Sequence, residues 1–100
     1  MKLGIIGTGM IVDHLLSFIQ KIEEIELVHI SSTKRSEAKA IQLKEEYGFK
    51  RYSTDYETLL NDEEVDTIYV ALPNHLHYDY TKQALLKGKH VILEKPFTSE

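Results

Sequence analysis

The chain has 100 residues, 42% apolar and 28% charged, with five Gly, two Pro and no Cys. That length suits one small domain with one core, and the composition excludes disordered, collagen-like and low-complexity classes, while the lack of Cys excludes disulfides and thiolate metal sites. A net charge of −4 argues against a nucleic-acid binder, and the apolar runs fall far short of the ~20 residues that span a membrane, so a soluble, cytoplasmic protein is expected.

Lys2 to Ile6 is a short apolar run ending at Gly7 and predicts a buried strand. From Met10 to about Glu24, the residues Ile11, Leu15, Phe18, Ile19 and Ile22 follow the spacing of a helix. Glu26 to Ser31 is strand-like again. Arg35 to Tyr47 predicts a second helix through Ala38, Ile41 and Leu43, stopped by Gly48. Phe49 to Tyr52 predicts a short strand. Thr54-Asp55-Tyr56-Glu57 has the form of a capping box and opens a brief helix through Leu59 and Leu60. Thr67 to Leu72 is the most strand-like segment, ended by Pro73. His75 to Lys87 predicts a helix closed by Gly88, and His90 to Leu93 a last strand. Phe97 to Glu100 reads as the start of another element, with Thr98 or Ser99 as N-cap, so a longer parent protein is expected.

The order is β-α-β-α-β-α-β-α-β. Strict alternation predicts an α/β fold, a doubly wound parallel sheet with helices on both faces. Ligands of such sheets bind outside the carboxyl ends of the strands, near the point where strand order reverses. Three strand ends are therefore expected on one rim: Gly7-Thr8-Gly9, Leu72-Pro73-Asn74 and Glu94-Lys95-Pro96.

Gly7-Thr8-Gly9 lies where the first strand becomes the first helix. Unpaired amides and the positive end of the dipole make a helix start suited to phosphate. Gly7 permits the tight turn, Gly9 lets a pyrophosphate approach, and Thr8, Met10 and Ile11 serve through their amides. A Gly-x-Gly alone also fits a plain βα turn; its place at the first strand favours a dinucleotide. The usual third Gly or Ala is Val12, a bulk expected to push helix and strand slightly apart.

An NAD site commonly places an acid at the second strand end for the ribose hydroxyls. Here that end is Ser31-Ser32-Thr33-Lys34-Arg35, and Glu23, Glu24 and Glu26 come too early. The hydroxyls of Ser32 and Thr33, followed by Lys34, suit a 2′-phosphate, so NADP is preferred over NAD. The alternative is that Ser32 or Thr33 caps the second helix while Lys34 is solvated.

Lys95 is the best candidate for chemistry. It lies beside Glu94, and Pro96 holds it toward extended backbone. From there it can donate to a substrate oxygen and add positive charge near a nicotinamide; the alternative is a solvated Lys-Glu pair. His75 and His77 sit two residues apart in a predicted helix, a turn of about 200°, so no metal site is expected there. His14, His29 and His90 are isolated and read as ordinary surface or core residues.

Gly-Thr-Gly-Met-Ile at 7–11, Ala-Leu-Pro-Asn-His-Leu-His at 71–77, Ala-Leu-Leu-Lys-Gly-Lys-His-Val at 84–91 and Glu94-Lys95-Pro96 together resemble the Gfo/Idh/MocA oxidoreductase family, over essentially the whole chain. The resemblance implies a Rossmann-type NAD(P)-binding domain over residues 1–100. It further implies a C-terminal substrate domain, absent from these residues, that supplies an Asp and a His and forms a homo-oligomer. The implied reaction is hydride transfer between the cofactor and a hydroxyl-bearing carbon of a sugar, inositol or related polyol. Lys95 then lies by nicotinamide and substrate, with Leu72, Pro73, Asn74, His77 and Glu94 on the cofactor rim. Val12 and Thr33 depart from the family's pattern. Two rival functions remain: a non-catalytic dinucleotide-binding regulator, and glycoside hydrolysis through transient oxidation.

Overall fold

The computed structural model describes residues 1–72 and 74–93, with the backbone alone at 74–77. Five strands, β1 (Lys2–Ile6), β2 (Glu26–Ser31), β3 (Arg51–Ser53), β4 (Thr67–Val70) and β5 (His90–Leu93), alternate with α1 (Met10–Ile19), α2 (Glu37–Tyr47), α3 (Tyr56–Leu60) and α4 (Asn74–Leu86). The sheet is parallel throughout, in the order β3-β2-β1-β4-β5. The order reverses at β1, between β2 and β4, which places the switch point at the end of the first strand. The doubly wound α/β fold expected from alternation is the one observed.

Two apolar layers hold the sheet. Leu3 and Ile5 of β1 pack with Val12, Leu16 and Ile19 of α1 and Leu43 of α2. Ile6 belongs to a second cluster with Leu59 and Leu60 of α3 and Ala84 of α4. Alternate residues of a strand point to opposite faces, so one apolar run serves both layers. Burying each such Leu or Ile stabilises by roughly 1.5–3 kcal/mol.

Several boundaries differ from the expectations. The first helix stops at Ile19 instead of about Glu24, because the chain must turn for Lys2 to pair with Glu26, where the Glu26 amide donates to the Met1 carbonyl at 2.7 Å. Its inward face is Val12, Leu16 and Ile19; Phe18 is 75% exposed and lines an open groove with Ile11, Leu15 and Tyr69. Val12 is fully buried within the first cluster, so its bulk serves as core. The second helix starts with a 3₁₀ turn over Lys34–Ser36, and it buries Ala40 and Leu43 while Ala38 and Ile41 face outward.

Strand three runs from Arg51 to Ser53, beyond the expected Phe49–Tyr52; Phe49 is a buried anchor instead, its amide donating to the Lys44 carbonyl at the close of α2. The third helix is capped by Asp55, whose carboxylate accepts from the Glu57 amide at 2.9 Å, and not by Thr54. Aspartate reaches the amide two residues on as readily as Thr reaches the one three on. Gly48 and Gly88 take the left-handed conformation expected of helix stops. Strand four ends at Val70, short of Leu72, although the Ala71 amide still donates to the Ile6 carbonyl at 2.9 Å.

Candidate functional site

Parallel register aligns the strand ends. Ile6 stands opposite both Ser31 and Val70, Ser31 opposite Ser53, and Val70 opposite Leu93. At about 4.8 Å per strand, the row is roughly 19 Å long. Each segment that leaves it starts on the same rim, so Gly7-Thr8-Gly9, Ser32-Thr33-Lys34, Thr54 and Leu72 are neighbours along one edge. Pro73 and Glu94-Lys95-Pro96 lie outside the described residues, as do the side chains of Asn74, His75 and His77.

The turn after β1 is shaped by its glycines. Gly7 has φ 113°, and a Cβ there would lie 2.5 Å from the Ala71 carbonyl oxygen. Its amide donates to the Ser31 carbonyl at 2.9 Å, tying the turn to the end of β2. Gly9 precedes α1 in extended backbone without a side-chain cap, and a Cβ built on it meets nothing within 4 Å. The first amides of α1, from Met10 and Ile11, have no carbonyl one turn back and open toward that space. Oriented amides, a dipole end and room at Gly9 form a cradle for an anion.

Beside it lies a pocket of about 270 Å³ lined by Ser32, Thr33, Lys34, Thr54, Tyr56 and Tyr80. Tyr56 and Tyr80 meet edge to face, with ring centroids 5.0 Å apart. Thr33 occupies the N-cap of the 3₁₀ turn, yet its side chain makes no capping bond, and neither does Ser36 ahead of α2. The Ser32 hydroxyl donates to the Thr33 carbonyl at 2.8 Å, so Ser32 shapes the loop. Lys34 is exposed and forms no ion pair with the described residues. Thr33 thus makes no side-chain cap, while Lys34 is solvated as that alternative has it, and the lining combines hydroxyls, aromatic faces and one cation without a carboxylate. Thr54 and Tyr56 flank the Asp55 cap of α3 and Tyr80 comes from α4, and nothing local in the sequence marks them as lining this pocket.

Beneath the rim, His29 is 1% exposed and held at both nitrogens: Nδ1 lies 2.8 Å from Asp62 and Nε2 2.8 Å from the Ser53 hydroxyl. It is a core residue, as one expectation had it, but not an isolated one. Burial pushes its pKa below the ordinary value, and the Arg51 charge pushes the same way, against the hydrogen bond and charge of Asp62. For Asp62, burial acts upward, but hydrogen bonds from His29 and the Glu64 amide, with the Arg51 charge, hold the carboxyl below its usual range. A carboxylate has no proton to give, so Nδ1–H donates to Asp62 and Nε2 accepts from Ser53. Among the described residues, no group of three or more His, Asp or Glu is placed to hold a metal ion, and no helix is long and apolar enough to cross a membrane.

The chain is similar to D-xylose 1-dehydrogenase (NADP(+)) 2 of Haloferax volcanii, 39% identical over 99% of this chain and 30% of that protein. It is 32% identical to a scyllo-inositol 2-dehydrogenase (NADP(+)) of Bacillus subtilis, over 98% of this chain and 29% of that one. Among solved structures, it matches a 3-ketoreductase of Actinomadura kijaniata in complex with TDP-benzene and NADP, with TM-score 0.87 and 33% identity over 99% of this chain and 31% of that one. The chain thus spans about a third of the length of these relatives. The model of the oxidoreductase family with an NAD-binding Rossmann fold, Gfo/Idh/MocA, matches residues 1–100, and the chain belongs to that family.

Proposed function

We propose that this chain is the dinucleotide-binding part of an NAD(P)-dependent oxidoreductase that moves a hydride between the nicotinamide and a hydroxyl-bearing carbon of a sugar, inositol or related polyol. The observation that carries the reading is the shared strand-end rim, where the hydrogen bond from the Gly7 amide to the Ser31 carbonyl sets the Gly7–Gly9 turn next to the loop that lines a hydroxyl- and lysine-bearing pocket. The residues fit such a group: an open helix start for a pyrophosphate, and Thr33 and Lys34 beside a cavity free of carboxylates. The amides of Thr8, Met10 and Ile11 would hold the pyrophosphate. Thr33 and Lys34 would hold a 2′-phosphate, which is why NADP is preferred over NAD. Leu72, Pro73, Asn74, His77 and Glu94 would border the rest of the cofactor.

When bound, a nicotinamide dinucleotide supplies the hydride acceptor or donor. The chain's own chemistry falls to Lys95, which would hydrogen-bond the reacting oxygen through Nζ and hold its proton. Relatives named for xylose and scyllo-inositol support a polyhydroxylated substrate. Screening the full-length protein for NADPH- and NADH-linked turnover on a sugar and polyol panel tests the reading. Turnover with such a substrate is expected, and dinucleotide binding without turnover on any of them would favour the regulator.

A further inference from the structure

We infer that His29 is a positioning residue for this site: through the Ser53 hydroxyl it holds the ends of β2 and β3 in their binding arrangement, and its protonation reverses that hydrogen bond and weakens dinucleotide binding. This role rests on the dinucleotide reading of the site.

Ser53 is the junction. Its hydroxyl lies 2.8 Å from His29 Nε2, 2.9 Å from the Ser31 hydroxyl and 3.2 Å from the Asp55 carbonyl. Its carbonyl accepts from the Ser32 amide at 3.0 Å, and the Ser31 carbonyl accepts from Gly7. One hydrogen-bonded cluster therefore lies under the glycine turn, under the loop that starts at Ser32, and under Asp55, which sits between Thr54 and Tyr56. All three bear on the cradle or the pocket.

Counting protons shows the switch. With His29 neutral, the single Ser53 proton goes to Nε2, and the Ser31 hydroxyl donates to Ser53 Oγ. When one proton from solvent enters the ring, both nitrogens become donors. Nε2–H then points at Ser53 Oγ, and the Ser53 proton must turn away, with the Asp55 carbonyl in reach. No covalent bond changes beyond that added proton. The charged groups facing His29 are Asp62, from the turn after α3, and Arg51, on β3, with Glu64 behind Arg51 at 2.8 Å. Asp62 is thus shared between the ring and Arg51, whose charge opposes a second cation. A ligand that requires the arrangement with neutral His29 binds that form better, so by linkage protonation lowers its affinity.

The probe is NAD⁺, because its pyrophosphate keeps its charge where a 2′-phosphate titrates. Calorimetry on the full-length protein at about pH 7.5 and about pH 4.5 spans the ordinary histidine value and the range below it into which burial moves His29. Wild type is expected to lose about fivefold or more in affinity at the lower pH. His29→Gln retains an acceptor for Ser53 but cannot titrate, and Ser53→Ala removes the relay while leaving the ring; both should bind with little pH dependence. A purely structural role would lower the melting temperature of either variant without altering the pH slope. A flat wild-type profile, or variants that retain the wild-type slope, would overturn the inference while leaving the dinucleotide site intact. A wild type that binds neither NAD⁺ nor NADP⁺ at either pH would overturn the reading of the site, and this role with it.

Discussion

The two sides of the switch point are built differently. On the β2–β3 side, strand ends are tied to one another by hydroxyls, backbone amides and the buried His29–Asp62 pair. On the β4–β5 side, Ile92 and Leu93 are 39% and 48% exposed, and Leu85 and Leu86 of α4 face outward. Preorganised polar groups suit holding a ligand in place, since they need no rearrangement when it arrives. The proposed reacting group, Lys95, follows the β5 end. Holding and reacting should therefore separate on mutation, with binding lost on one side and turnover on the other.

The largest expected effect is on the reacting side. Lys95→Ala in the full-length enzyme should lower kcat by roughly 10²–10⁴ while the dinucleotide affinity changes far less. Lys95→Arg should not restore the rate, because a planar, permanently charged fork does not replace a compact ammonium. Steady-state kinetics paired with calorimetry checks the separation. A parallel fall in affinity would merge the two sides.

Next comes the cradle itself, where its two glycines predict different failures. Gly9→Val should abolish NADP(H) binding in a folded protein, because a Cβ there has open space around it and the added side chain would take up the anion's room. Gly7→Ala should instead lower stability by about 1–3 kcal/mol, since it combines a left-handed φ with a contact on the Ala71 carbonyl. Melting curves beside binding curves distinguish them; undiminished affinity in folded Gly9→Val would remove the cradle.

On the holding side, Lys34→Ala is expected to weaken NADPH by about tenfold and NADH little, as one charge-assisted contact is lost. Equal losses for the two cofactors would make Lys34 a bystander.

The smallest effect is on stability in mild acid. The pKa of His29 is lowered on folding, so below its ordinary value the unfolded chain binds more protons than the native one. Stability contributed by the neutral ring is full above that value and falls as pH drops through the window below it. Thermal melts of wild type should show this decline, and His29→Gln should lack its share of it.

Much of this architecture is legible in the residues. Gly7 and Gly9 mark the first turn because backbone needs of that kind allow few substitutes, and the switches of apolar period mark five strands and four helices in order. The errors fall where tertiary pairing competes with a local signal. Ile22 continues a helical spacing, yet the helix ends at Ile19, where the chain must turn for β2 to pair with β1. Thr54 and Glu57 have the form of a cap, yet Asp55 is nearer to the amide it satisfies.

Alternation of strand and helix, the glycine turn and the cations after the second strand are local in the chain, so the sequence by itself determined the fold class and the place of the candidate site. The pocket wall and the support under it are not local. Thr54, Tyr56 and Tyr80 meet Lys34 only after β3 and α4 have found their places, and His29 reaches Asp62 across 33 positions of sequence. Parallel pairing brings such groups together through long crossovers, so no short-range pattern in the chain records them. A buried histidine looks the same in sequence whether it packs alone or holds two strand ends in place; only the packed structure decided that.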